Sequence, residues 1–460
     1  MGELVSDLVA RRGPVALQYG SGQGDPHLRE QICDVMRLEG IEGNADDVVV
    51  TVGSQQALDL ITRIFIDPGD VILAEGPSYV GALGTFAAYQ AKVVHIAMDD
   101  EGIIPESLAQ TVYALQTAGS RIKFLYTIPT FQNPAGVTLN AERRGQVLEI
   151  CQRAGVLIVE DNPYGLLGFD GDPMRALRAD NPDGVVYLGS FSKTLAPGFR
   201  VGWALAPHAV RDKLVLAMES AVLSHSTFTQ LAVGEYLATQ PWREQIKTFR
   251  ELYRERRDTM LSSLEALMPA GCTWTRPRGG FFVWATLPEG LDSKVLLPRA
   301  VAERVAFVPG TGFYADGSGA RFMRLSYCYP EPERIREGSA AWPGWSSRSS
   351  SSATRSAPAP TPTTSASTPR VPTSPDPPSG RAAASGSRPG LPGDRGRADV
   401  LGAGTASRCR RCGEPVRRAA RGTSVVTCAG VPYGDFRCRH ATIIRVLGKR
   451  PGGPGEGPGA

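Results

Sequence analysis

Ser190-Phe191-Ser192-Lys193-Thr194-Leu195-Ala196-Pro197-Gly198-Phe199-Arg200-Val201-Gly202-Trp203 lies between two short apolar runs, Val185-Val186-Tyr187-Leu188 and Val201-Gly202-Trp203-Ala204-Leu205. Both runs are bounded by turn residues and lack helical periodicity, so they read as buried strands. Lys193 is therefore placed in a loop between strands. Partial desolvation there, beside the cation Arg200, lowers the lysine pKa towards the neutral amine that attacks a carbonyl. Ser190, Ser192 and Arg200 could together hold a phosphate. A surface turn with an ordinary lysine is the alternative, and the rest of the chain decides between them.

Outward from this loop the chain divides into two materials. Up to Ala340 it carries 32 Lys+Arg against 40 Asp+Glu, and from there to Ala460 it carries 18 against 6. Cys33, Cys151, Cys272 and Cys328 are scattered through the first part, as in a cytoplasmic protein with reduced thiols. No run reaches the length of a membrane span, and the N-terminus shows no apolar leader segment.

The first part alternates strands and helices. A helix over 1–10 breaks at Arg12-Gly13-Pro14, and a glycine-rich loop around Tyr19, Gly20 and Gly24 leads into a helix over 26–39. Asp47-Val48-Val49-Val50-Thr51-Val52 is a strand, and Gly53-Ser54-Gln55-Gln56 opens a helix over 57–65. That junction is either an anion site or a plain N-cap at Ser54. Strands follow at 71–74, ending in Glu75-Gly76-Pro77-Ser78-Tyr79, and at 93–97 and 122–127. Tyr79 is thereby placed at a strand's carboxyl end, the edge where open α/β sheets bind ligands. The strand at 122–127 leads to Asn133-Pro134-Ala135-Gly136, where Asn133 either forms a turn or presents its amide to a ligand. After a helix over 141–154, the apolar strand 156–159 delivers Glu160-Asp161-Asn162-Pro163-Tyr164. A carboxylate such as Asp161 at that position needs a buried cation unless it caps a helix. Long helices over 209–223, 227–239 and 242–267 precede shorter strands in 272–327. There Arg324 is either a surface charge or a fork held out for a carboxylate. The pattern predicts a large three-layer α/β/α domain with a mostly parallel sheet and a smaller α+β domain.

Read together over 17–336, these motifs resemble the fold-type I pyridoxal-phosphate aminotransferases of class I/II. The branch most similar in texture contains 2-aminoadipate and kynurenine aminotransferases and the aminotransferase-like domain of MocR-type regulators. The resemblance implies transfer of an amino group between an L-amino acid and a 2-oxo acid by a ping-pong route in a cytoplasmic homodimer. Lys193 would bond the cofactor's aldehyde and then move a proton as the catalytic base. Asp161 would pair with the pyridinium nitrogen, and Tyr164 and Asn133 would bond the ring oxygen. Tyr79 would stack on the ring. Ser54, Gln55, Ser190, Ser192 and Arg200 would hold the phosphate. Tyr19 would reach in from a neighbouring subunit, and Arg324 would grip the substrate carboxylate.

The resemblance also implies a division into an N-terminal segment at 1–40, shortened relative to the family's arm, a large cofactor-binding domain at 41–240 and a small domain at 241–340. The remainder, 341–460, is a low-complexity basic tail expected to be disordered. A reading frame shifted from about Ala341 in a GC-rich gene would account for its composition. In that tail Cys409, Cys412, Cys428, Cys438 and His440 supply enough zinc donors. Cys428 and Cys438 are nevertheless too far apart for a second knuckle, so no metal site is expected, and no specific nucleic-acid motif accompanies the basic charge. The competing functions are a regulator-derived domain and a truncated, inactive product.

Overall fold

The computed structural model describes residues 1–341. The readings of the tail as disordered, frame-shifted and metal-free therefore fall outside the described residues.

In chain order the elements are α1 (Gly2–Ala16), α2 (Pro26–Met36), β1 (Val48–Thr51), α3 (Ser54–Phe65), β2 (Val71–Gly76), α4 (Val80–Ala88), β3 (Lys92–Asp99), β4 (Gly102–Ile103), α5 (Pro105–Thr117), β5 (Ile122–Thr127), α6 (Ala141–Ala154), β6 (Leu157–Asp161), α7 (Leu177–Asp180), β7 (Val185–Ser190) and β8 (Gly202–Leu205). They continue with α8 (His208–Val222), α9 (Thr227–Thr239), α10 (Trp242–Leu267), β9 (Thr273–Trp274), β10 (Phe282–Thr286), α11 (Ser293–Ala302), β11 (Val308–Pro309), β12 (Phe322–Ser326) and α12 (Pro332–Ala340).

Strands β1 to β8 form one sheet in the order β1-β8-β7-β6-β5-β2-β3-β4. The pairings β7–β6, β6–β5, β5–β2 and β2–β3 are parallel, whereas β8 runs antiparallel to both its neighbours and β4 antiparallel to β3. Side chains alternate across this sheet, and each set has its own helices to bury it. Val49, Ile72, Ala74, Phe124, Val159 and Val186 meet α3, α4 and α8. Val71, Leu73, Leu125, Ile158 and Val185 meet α5 and α6. On that second face α2 and α9 also cover Val48, Val50 and Leu205. Strands buried on both faces carry no polar alternation, which is why they read as continuous apolar runs. The carboxyl ends of β1, β2, β5, β6 and β7 all lie at one edge, and each feeds a predicted site residue into it.

A second, antiparallel sheet has the order β11-β12-β10-β9, with Trp284 of β10 opposite Arg324 of β12. The break expected at Arg12-Gly13-Pro14 is a kink at Arg12, whose backbone is non-helical (φ −129°, ψ 16°), and a helical segment then runs on to Ala16, beyond the expected end at residue 10. Pro14 falls in the first turn after that kink, where its missing N–H costs nothing. Leu8 and Ala16 are then buried against Leu231 and Ala232 of α9. Ser54 is not the N-cap of α3 but its first residue; the cap position is Gly53, at φ 77°, and no side chain caps the helix. Among the described residues no helix is long and apolar enough to cross a membrane.

Candidate active site

Asp161 closes β6, and its carboxyl group is buried. Its Oδ2 accepts a hydrogen bond from the Tyr126 hydroxyl at 2.9 Å, while its Oδ1 is buried with no partner. Burial pushes this carboxyl group up from its ordinary 3.8 to about 7, partly offset by the Tyr126 bond and by Lys193. Asp161 caps no helix, so what remains is an acceptor waiting for a donor.

Lys193 sits in the β7–β8 loop, half-buried, with its Nζ 5.8 Å from the centre of the Phe281 ring. Burial lowers its pKa first, and the cations Arg200 and Arg324 add to the effect against Cys328 and Asp161. These are the two influences that the loop's sequence predicts.

Beside it lies a cradle of donors. The Ser190 hydroxyl donates to Ser192 Oγ at 2.9 Å, and Arg200 donates to Ser192 Oγ at 3.3 Å and to the Val52 carbonyl at 3.0 Å. Arg200 itself adopts φ 53°, and its carbonyl is bonded by His225 Nε2 at 3.1 Å. The uncapped start of α3 opens on the same guanidinium, since a Cβ at Gly53 would come within 2.5 Å of Arg200 Nη2. A Cβ at Gly202 would likewise meet Gly53 C and Ser54 N at 2.6 Å, so both glycines permit the close approach of two backbones. Free helix N–H groups, two hydroxyls and a guanidinium are the donors that an anion would need. The Gln55 side chain is turned away from them, donating to Thr85 Oγ1 at 2.9 Å and to the Gly81 carbonyl at 3.3 Å. Its amide thus fastens α3 to α4, and only the backbone N–H of Gln55 remains for an anion.

Asn133 and Arg324 are 191 positions apart, yet Arg324 Nη1 donates to Asn133 Oδ1 at 2.8 Å. The guanidinium carbon lies 4.1 Å from the Phe282 ring centre and 5.1 Å from that of Phe313, and its Nε is buried without a partner. Arg324 is therefore not a surface-pointing charge, and its Nε is left with a donor to offer. Tyr164 is buried against Phe281 and Phe282, and burial raises its hydroxyl pKa. Tyr79 is partly buried and interacts electrostatically with Asp161, Arg324 and Arg200. Tyr19 stands apart: it is 76% exposed and contacts none of these groups.

Two supporting residues escape sequence reasoning. Glu75, buried at the end of β2, accepts from Thr127 Oγ1 (2.6 Å), Ile128 N (3.2 Å) and Gln132 Nε2 (3.0 Å). With Gln132 also bonded to Ala135 N and the Pro77 carbonyl, it fixes the loop that carries Asn133. The other is Tyr126, whose one signal was a phenol inside a buried strand, where a hydroxyl must find a partner.

Comparison with known proteins gives the family. The family described as Aminotransferase class I and II matches residues 5–341. Aromatic-amino-acid aminotransferase 1 of Thermococcus litoralis is 46% identical over 341 residues, covering 74% of this chain and 82% of the relative. The 2-aminoadipate transaminase of Thermus thermophilus is 37% identical over 340 residues, covering 73% and 83%. Among solved structures, the kynurenine aminotransferase of Pyrococcus horikoshii in complex with pyridoxamine phosphate (PMP) superimposes with a TM-score of 0.73 at 40% identity, covering 75% of this chain and 86% of that one. An uncapped helix start beside two hydroxyls and a guanidinium, a buried acid, a depressed lysine and a half-buried arginine thus accompany an extended sequence match, and the chain belongs to the class I and II aminotransferases.

Proposed function

We propose that the site residues divide the work of a pyridoxal-phosphate-dependent aminotransferase as follows. The cradle of Ser54, Ser190, Ser192, Arg200 and the α3 N–H groups takes the cofactor's phosphate, with the backbone N–H of Gln55 contributing. Asp161 offers Oδ1 to the ring nitrogen, and the fact that this buried oxygen has no partner among the described residues is the observation that carries the reading. Tyr164 and the free Nδ2 of Asn133 serve the ring oxygen, and Tyr79 covers the ring face. The cofactor supplies an electron-accepting ring and an aldehyde that carries the amino group between an L-amino acid and a 2-oxo acid. Lys193, with its pKa lowered, provides the amine that bonds this aldehyde and, when released, the base that moves a proton at the substrate's Cα. Arg324 binds the α-carboxylate through its unpaired Nε and its remaining Nη donors.

The substrate side chain is proposed to be aromatic. Phe282 and Phe313 flank the fork, and relatives named for aromatic amino acids and kynurenine share this sequence framework. A homodimer is proposed because Leu17, Tyr19, Leu216 and Leu223 are each more than half exposed. Tyr19 would then serve the partner's site. The cytoplasm fits the four unpaired cysteines of the described residues. The domain division at 40/41 and 240/241 is retained with this reading, since the two sheets fall on either side of the second boundary.

Lys193→Ala tests the assignment. It should remove all turnover and the near-ultraviolet or visible absorbance of the lysine-bound cofactor. Borohydride reduction of the wild type that leaves a pyridoxyl group on any other residue refutes it.

A further inference from the structure

Among the described residues, Asp161 has one hydrogen-bond donor, the hydroxyl of Tyr126, and nothing in the reaction itself calls for that phenol. Tyr126 is fully buried in β5. It lies in register with Ala74 of β2 and Val159 of β6, two residues before Asp161 and therefore on the same face. The Phe86 ring of α4 packs edge-on against it, with centroids 5.5 Å apart. The phenol is walled in on three sides and aims its one donor at Oδ2. Burial and the Asp161 charge hold its pKa well above the ordinary value, so it stays a donor.

We propose, resting on the cofactor assignment above, that Tyr126 is a positioning residue: its hydroxyl clamps Oδ2 so that Oδ1 faces the ring nitrogen, and it stabilises the carboxylate charge that the nitrogen requires. A carboxylate held by a single bond can pivot when that bond is lost, and a buried carboxylate with no donor returns to its acid. The other titratable groups facing Asp161 are Glu75 from β2, Lys193 from the β7–β8 loop, Tyr79 before α4, Tyr164 after β6 and Tyr187 of β7. Glu75, Tyr79, Tyr164 and Tyr187 cannot stabilise the anion by charge, and Lys193 gives up its ammonium when it bonds the aldehyde. Tyr126 is the stabilising partner that persists.

Tyr126→Phe isolates the hydroxyl while keeping the ring. Pyridoxal phosphate affinity is measured by fluorescence titration of the cofactor-free protein from about pH 6 to about pH 9, in wild type, Tyr126→Phe, Asp161→Asn and the double variant. Near pH 6 Asp161 starts protonated and must ionise to hold the ring, so loss of a hydrogen bond to a charged group weakens binding about tenfold or more. Near pH 9 the carboxylate is already charged before binding, and the ratio falls towards one. In the Asp161→Asn background the same change has less than about a twofold effect. A weakening that is uniform across pH, or that survives in the Asp161→Asn background, assigns Tyr126 a packing role and overturns the proposal, as does unchanged affinity throughout. A wild type that takes up no cofactor fails the underlying assignment instead, and the proposal falls with it.

Discussion

Asp161→Asn should make the cofactor-free protein more stable, and by an amount that grows with pH. Burial raises the folded-state pKa from its ordinary 3.8 to about 7. A carboxyl group shifted upward contributes stability that is fully present below the unfolded pKa and is lost as pH rises through the folded one. The full loss, about three pKa units at ~1.4 kcal/mol each, comes to ~4 kcal/mol above about pH 8, and about half has accrued by pH 5.5. Asparagine does not ionise, so the stability gap between variant and wild type should widen by ~2 kcal/mol between pH 5.5 and pH 8. A constant offset from the new amide, whose N–H groups meet the site at Oδ1's position, cancels in that comparison. Urea unfolding of both cofactor-free proteins at the two pH values measures it. Pyridoxal phosphate should reverse the order, because it stabilises the wild type in proportion to its tighter binding. A gap that stays the same at both pH values would show that Asp161 is already charged and solvated in the folded protein, and the argument from its unpaired oxygen would fail.

Arg324→Lys should raise KM for both the amino acid and the 2-oxo acid by about a hundredfold while leaving cofactor uptake intact, because an ammonium cannot serve Asn133 and both carboxylate oxygens together. An unchanged KM, or lost cofactor, counts against the fork. Gly202→Ala places a Cβ against Gly53 and Ser54 backbone atoms, at a cost of about 1–3 kcal/mol in forced backbone shifts, and should weaken phosphate binding. Gly198→Ala, in the loop just before β8 but with nothing within 4 Å of its Cβ, is the control. Equal cofactor affinity in the two variants would show that the cradle does not depend on that close approach.

Most of the fold was legible because burial on two faces writes itself into sequence as apolar runs, and because helices such as α3 and α10 carry periodic apolar patterns. The nucleating features of the site were legible for a related reason: strand ends announce where Asp161, Ser190 and Tyr79 emerge. Pairings were not. Asp161 and Tyr126 meet because β5 and β6 run parallel in one particular register, and no local signal specifies that register. Asn133 and Arg324 meet across two different sheets. The direction of the Gln55 side chain was not legible either: a long side chain at a helix start can turn along the helix, and α4 offers it a hydroxyl and a carbonyl. A cap at Ser54 is one of the two readings that the residue types at that junction allow, whereas the sharp turn before α3 needs the positive φ that Gly53 supplies.

Asp161 and the half-buried Arg324 are built on one plan. Asp161 is held by Tyr126 and keeps Oδ1 unpaired; Arg324 is held by Asn133 and keeps Nε unpaired. Each has enough protein contact to fix its direction and too little to satisfy it, so the desolvation cost is recovered only when a ligand arrives. Asn133 adds a coupling, since its Oδ1 is committed to Arg324 and its Nδ2 is the group we propose for the cofactor's ring oxygen. It is held in turn by the loop that Glu75 and Gln132 pin to the end of β2. A disturbance of that loop should therefore reach cofactor and substrate together, whereas a disturbance of Tyr126 should reach the cofactor alone. That asymmetry follows from which side of the site each supporting residue stands on: Tyr126 belongs to the large sheet, and the loop of Asn133 bridges it to the strand that carries Arg324.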